Sequence, residues 1–141
     1  MSPADHAERL ARLDRGFAKA IPFNAWLGLE TVDFGDGEVT LRLPHDPKLV
    51  GDPTTGVLHG GVITAAMDAA CGASVFLALH TPRRIATLDL RVDYLRPSEP
   101  GRDVFCRCRC HKVTKQVAFT EGWAFHDSQE DSIARVVGTF M

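Results

Sequence analysis

The sequence predicts an α+β domain, an antiparallel sheet of five or six strands wrapped around one buried helix. Three observations carry this. An almost unbroken run of apolar and small residues extends from Val62 to Leu79, an alternating hairpin precedes it, and only strands follow it. At 141 residues the chain has the size of one ordinary domain. Its 45% hydrophobic and 24% charged residues call for a packed core and exclude disorder.

The elements follow in order. Ser2, Pro3 and Asp5 supply an N-cap, a proline at the first helical position and an acid at the third. Leu10, Leu13, Phe17 and Ile21 recur at helical spacing until Pro22 ends the run. Residues 1–21 are therefore expected as an N-terminal helix laid on an edge of a single domain that fills residues 22–141. In the hairpin, Val32 and Phe34 alternate with Thr31 and Asp33, Gly35-Asp36-Gly37 turns, and Val39, Leu41 and Leu43 return. Pro47, Gly51, Pro53 and Gly56 mark residues 45–58 as a loop. The Val62–Leu79 run is long enough for a membrane span, but Asp68 near its middle argues for a core helix wrapped by protein. Leu88, Leu90, Val92 and Tyr94 then alternate strictly, and Val104–Val113, Val117–His126 and Ile133–Phe140 complete a four-strand meander. Trp26, Trp123, Phe119 and Phe125 are expected in the core.

Charge and cysteine content narrow the function. Sixteen Lys and Arg stand against 18 Asp and Glu, a net charge of -2, so nothing grips a polyphosphate backbone and nucleic acid is excluded as the main partner. Residues 1–20 are charged throughout and show no signal peptide, and a cytosolic setting without a membrane is expected. Cys106, Cys108 and Cys110 alternate with Arg107 and Arg109, which on a strand puts three thiols on one face. That spacing fits neither a zinc site nor a disulfide framework, and the thiols read as small buried hydrophobes. His45, His80, His111 and His126 also lack metal-ligand spacing.

The chemistry concentrates at the start of the buried helix. Gly60 and Gly61 let the backbone approach a ligand, and first-turn N–H groups lack intrahelical partners, so this corner suits a phosphate or a developing oxyanion. The plainer alternative is a tight loop-to-helix corner. Asp68 is the one carboxylate from Gly60 to Leu79, and an acid on a buried helix must be paired or face a wet cleft. A structural Asp satisfied by a neighbouring hydroxyl is the competing reading. Gly60 and Asp68 lie about 12 Å apart along a straight helix. One carbonyl cannot touch both, so two subunits would have to share the site across a symmetric interface.

His59-Gly60-Gly61, Asp68 nine positions after the His, and the strand from Leu88 to Pro97 together resemble the hotdog-fold acyl-CoA thioesterases of the phenylacetate-pathway (PaaI-like) type. Gly138-Thr139-Phe140 looks like that family's last strand, and the resemblance spans residues 22–141. It implies a hotdog fold, a homo-oligomer (a dimer or a dimer of dimers), and hydrolysis of an acyl- or aryl-acyl-CoA thioester to acid and CoA, with no cofactor or metal. By position, Asp68 would be the general base or the nucleophile and the Gly60 N–H would polarise the carbonyl. His59 would line the site and hold its loop, Thr87 would stand near the attacking water, and Gly61 would belong to the substrate contact. Arg83-Arg84 and Arg96 would meet CoA phosphates, unless they are simply solvated. Two positions depart from the pattern. Pro53, beside Asp52, replaces an Asn frequent in relatives, and Lys115-Gln116 replaces a Gly-Arg pair tied to CoA. A hydratase or dehydratase using His59 and Asp68, or an acyl-CoA-binding domain without catalysis, would share the same fold.

Overall fold

A computed structural model describes all 141 residues. Helix α1 (Pro3–Leu13) starts on a complete capping box: Ser2 Oγ accepts the Asp5 N–H at 3.1 Å, and the Asp5 carboxylate accepts the Ser2 N–H at 3.2 Å. The helix does not run unbroken to Ile21. From Asp14 to Lys19 it widens into a π-helical turn, where the Asp14 carboxylate accepts the Thr31 N–H at 2.7 Å. Pro22 both ends that turn and opens a short helix α2 (Pro22–Leu27), since its fixed φ suits a first helical position as well as it blocks a last one. Leu10, Leu13 and Phe17 are half-buried on the domain, while Ile21 is exposed.

Six strands form one antiparallel sheet: β1 (Glu30–Gly35), β2 (Glu38–Leu43), β5 (Thr87–Tyr94), β6 (Val104–Val113), β7 (Ala118–Phe125) and β8 (Ala134–Phe140). Their order is β1-β2-β6-β7-β8-β5. Gly37 adopts φ 66° in the β1–β2 turn, a backbone that side chains disfavour. The expected four-strand meander is corrected here. β5 pairs with β8 at the far edge, and β6 crosses back to pair with β2. The connection from Leu95 to Asp103 is too long for a hairpin and carries Pro97, Pro100 and Gly101, so nothing holds β5 beside β6. Residues 45–58 hold more order than a loop, with a short hairpin of β3 (Val50–Asp52) and β4 (Val57–Leu58).

Helix α3 (Gly60–Ala78) lies across the concave face. By length and composition it could cross a membrane, but the sheet wraps it and ten of its residues are buried. Small residues let helix and sheet approach closely. Ala66, Ala70 and Ala73 are buried on the helix, and Ala118, Thr120, Gly122 and Ala124 are the buried side of β7. A Cβ on Gly122 would lie 2.8 Å from the Arg107 carbonyl oxygen, so that position admits no side chain. This packing overturns the expectation for the aromatics. Phe119, Trp123 and Phe125 occupy the opposite, half-buried face of β7, because the helix side has room only for small residues. Trp26 is 50% exposed on α2.

Cys106 and Cys108 are fully buried, and all four cysteines are free. Burial pushes the Cys106 thiol up to about 12 and raises those of Cys108 and half-buried Cys110. Thiolates are therefore scarce at neutral pH. A disulfide reagent added to the native protein at pH 8 should titrate Cys110 alone, with Cys71, Cys106 and Cys108 appearing only after denaturation. Catalytic activity should survive that labelling; its loss would contradict a purely packing role.

Candidate active site

Helix α3 begins at Gly60 because His59 caps it. His59 keeps an extended backbone (φ -61°, ψ 131°), and its Nδ1 accepts the Gly61 N–H at 2.9 Å. That bond leaves the ring proton on Nε2. The corner is held tightly. The His59 N–H donates to the Leu49 carbonyl at 2.8 Å, and a Cβ on Gly51 would lie 2.8 Å from His59 Cα. A Cβ on Gly61 would lie 2.9 Å from His59 Nδ1. The Val62 N–H donates to the His59 carbonyl at 3.0 Å, which leaves the Gly60 N–H as the first-turn donor with no acceptor in the chain.

Tyr94, at the end of β5, stands over this corner. Its hydroxyl donates to the Gly60 carbonyl at 2.7 Å and also bonds Thr64 Oγ1, and its ring would lie 3.5 Å from a Cβ on Gly60. Strand alternation placed Tyr94 on β5, but nothing in the sequence connects its hydroxyl to residue 60. Gly51 is a second missed residue, signalled only by its place in a glycine- and proline-rich loop.

Two turns along α3, Thr87 Oγ1 donates to Asp68 Oδ1 at 2.7 Å. Asp68 Oδ2 has no partner in the chain and is free to accept a proton from water. Asp68 is half-buried and lines a cavity of about 360 Å³ walled by Phe17, Ile21, Phe23, Gly72 and Phe140. A wet mouth spares the carboxylate the cost of full desolvation while the apolar wall beyond it suits an acyl group. Gly60 opens onto a different cavity, with Ile63, Tyr94, Arg96 and Ser98. Within one chain, then, the Asp68 carboxylate and the Gly60 corner face separate spaces.

The other expected residues divide. Arg84 is exposed beside Arg83, Lys115 and Gln116, so the fold brings the two arginines to the very turn where the departure from Gly-Arg occurs. Arg96 lines the Gly60 cavity, but its guanidinium is held by Asp131, at 3.1 Å to the carbonyl and 3.3 Å to the carboxylate. Asp52 does not replace the missing Asn at the site. Its carboxylate accepts Thr54 N–H and O–H at 2.9 and 2.6 Å, and the Thr54 hydroxyl holds its pKa below the usual range. His126 is a structural histidine, bonded to the Asp103 carbonyl at 2.7 Å and the Glu99 N–H at 2.9 Å.

A family model described as the thioesterase superfamily matches residues 55–133, the stretch that holds Gly60, Asp68, Thr87 and Tyr94. The chain belongs to the thioesterase superfamily. Among relatives of this superfamily member, the medium/long-chain acyl-CoA thioesterase YigI of Escherichia coli K12 is 35% identical over 139 residues, 89% of this chain and 88% of YigI. Two further alignments are shorter. This chain spans about half the length (51%) of a Halobacterium salinarum relative at 42% identity, and 64% of YigI from Salmonella typhimurium at 36%. A crystal structure of a Pseudomonas aeruginosa protein superposes with a TM-score of 0.83 at 42% identity, covering 94% of this chain and 97% of that one. The PaaI protein of the Escherichia coli phenylacetic acid degradation operon matches at TM-score 0.79 and 15% identity, over 99% and 94% of the two chains, a likeness of fold alone. The superfamily member has the hotdog fold, the sheet wrapped around α3.

Proposed function

We propose that this chain is a cytosolic acyl-CoA thioesterase whose active site is shared between two copies. The observation that carries the reading is the pairing of two half-sites by one strand. β5 starts at Thr87, bonded to Asp68, and ends at Tyr94, bonded to Gly60. β5 is also the bare edge of the sheet, since the N-terminal segment flanks β1 at the other edge. Leu88 and Tyr94 are each 51% exposed there, an arrangement that invites pairing with another chain. Antiparallel pairing of β5 with its own copy around a two-fold axis brings residue 87 of one chain opposite residue 94 of the other. Asp68 then faces the partner subunit's Gly60, and the 12 Å separation along a single helix (about eight residues at 1.5 Å) ceases to matter.

The chemistry follows from the two halves. The thioester carbonyl oxygen accepts the free Gly60 N–H at the positive end of α3, which stabilises the charge that develops on it. Asp68 Oδ2 takes a proton from a water that attacks the carbonyl carbon, with Thr87 fixing the carboxylate through Oδ1. Collapse of the tetrahedral intermediate breaks the C–S bond, the proton held by Asp68 passes to the departing sulfur, and CoA leaves as the free thiol beside the acid. Attack by the Asp68 carboxylate itself, through a mixed anhydride, uses the same geometry. His59 acts as the helix cap, and its committed Nδ1 disfavours a hydratase role that would need the ring as base. Arg83, Arg84 and Lys115 supply positive charge for the CoA phosphates. The direct test is release of free thiol from a panel of acyl- and aryl-CoA esters, with no release sinking the proposal. Light scattering at assay concentration should give a dimer or a multiple of it; an active monomer would contradict a shared site.

A further inference from the structure

Helix α3 opens on two glycines, Gly60 and Gly61, the weakest helix formers short of proline, so its first turn needs outside support to keep one backbone geometry. The peptide group between them is held at both ends. Its carbonyl, that of Gly60, accepts the Tyr94 hydroxyl at 2.7 Å, and its N–H, that of Gly61, donates to His59 Nδ1 at 2.9 Å. The preceding peptide group carries the free Gly60 N–H, and its carbonyl, that of His59, accepts the Val62 N–H at 3.0 Å. Peptide groups are planar, so holding these two fixes both backbone torsions of Gly60 and with them the direction of its N–H.

Tyr94 is the member of this clamp supplied by the six-stranded sheet. It ends β5 in register with Ala134 of β8, and the next N–H, that of Leu95, donates to the Ile133 carbonyl at 2.8 Å. The phenol is thus delivered from a rigid strand onto a soft glycine pair. Two contacts aim it. Its ring lies against Gly60, 3.5 Å from where a Cβ would stand, and its oxygen bonds the Thr64 hydroxyl. A phenol has one proton to give, and Tyr94 gives it to Gly60, so Thr64 is the donor in the second bond.

We infer that Tyr94 is a positioning residue: through the peptide group between Gly60 and Gly61, its hydroxyl aims the Gly60 N–H at the thioester carbonyl. This rests on the thioesterase reading above. Tyr94 acts on the Gly60 backbone and not on the reacting atoms. The contact from an oxyanion donor strengthens as charge develops on the carbonyl oxygen, so a misaimed N–H slows turnover while leaving substrate binding in place. Tyr94 is exposed in a single chain, and pairing of β5 with its own copy shields it from water, which strengthens the bond that does the aiming.

Tyr94→Phe keeps the ring against Gly60 and removes the hydroxyl alone. Its kcat for a CoA ester should fall about tenfold, short of the roughly 10²–10³ for losing the donor itself, with KM within about twofold of the parent. In the protein without substrate, exchange of the Gly61 amide followed by NMR should quicken about fivefold, the worth of one ordinary hydrogen bond. Thr64→Val leaves the bond to Gly60 in place and should hold both readouts near the parent. In chains carrying Gly60→Pro there is no N–H to aim, so adding Tyr94→Phe should lower kcat no further. Parental kcat in Tyr94→Phe would overturn the inference. So would losses that multiply in the double variant, the result expected of a tyrosine that merely stabilises the fold or the assembly. A parent that releases no thiol removes the thioesterase reading, and the Gly61 exchange rate then decides the clamp by itself: quickened exchange in Tyr94→Phe upholds it, and unchanged exchange overturns it.

Discussion

Asp68→Asn is expected to fold, assemble and melt like the parent while its turnover of a CoA thioester falls by about 10²–10⁴, the usual share of general acid–base catalysis. The substitution is nearly isosteric, and the Asn carbonyl can still accept the Thr87 hydroxyl that now bonds Asp68 Oδ1 at 2.7 Å. What disappears is the free Oδ2 as a proton acceptor. A purely structural carboxylate predicts the reverse pattern, a lowered melt with normal kcat per folded chain. Thermal melting and kcat measured on the same preparation distinguish the two, and a near-normal kcat in folded protein would retire Asp68 as base or nucleophile.

Gly60→Pro is expected to cost about 10²–10³ in kcat, the usual effect of removing one oxyanion donor. Proline suits this position for three reasons. It is the first residue of α3, where proline is favoured; the preceding His59 has the extended ψ of 131° that proline requires; and a Cβ here meets only the Tyr94 ring, at 3.5 Å. The N–H removed bonds to nothing in the chain, so the melt should hold. Gly60→Ala, which keeps the N–H, should retain most activity. Equal activity in the alanine and proline variants would mean that the N–H does not touch the reacting carbonyl.

Much of this was legible in the sequence, because apolar alternation and helical runs report burial directly. The N-terminal capping box, the hairpin, the long central helix and four later strands all stand close to where periodicity puts them. The strand order was not legible. Alternation reports which residues share a face but says nothing of which strand lies beside which, and the displacement of β5 to the edge depends on a long loop. The aromatics of β7 misled for a related reason. Hydrophobicity alone places Trp123 inside, while the close approach of α3 admits only Ala118, Thr120, Gly122 and Ala124 there. At the site, Gly60 and Asp68 were legible as glycine freedom and an isolated acid, while His59 came by resemblance and its capping bond only from the structure. Thr87 came by resemblance, and Tyr94 and Gly51 were silent because their partners are set by tertiary contact.

A shared site makes one demand that a site within a single chain does not. Chains carrying Asp68→Asn and chains carrying Gly60→Pro, each nearly inactive alone, can be co-expressed with different tags and the mixed dimer purified. One of its two sites combines Asp68 from the proline variant with Gly60 from the asparagine variant, and the other carries both defects. The mixed dimer should therefore recover about half the turnover of the parent dimer, as two-fold symmetry dictates. Turnover no higher than that of either variant alone would contradict a site built from two subunits.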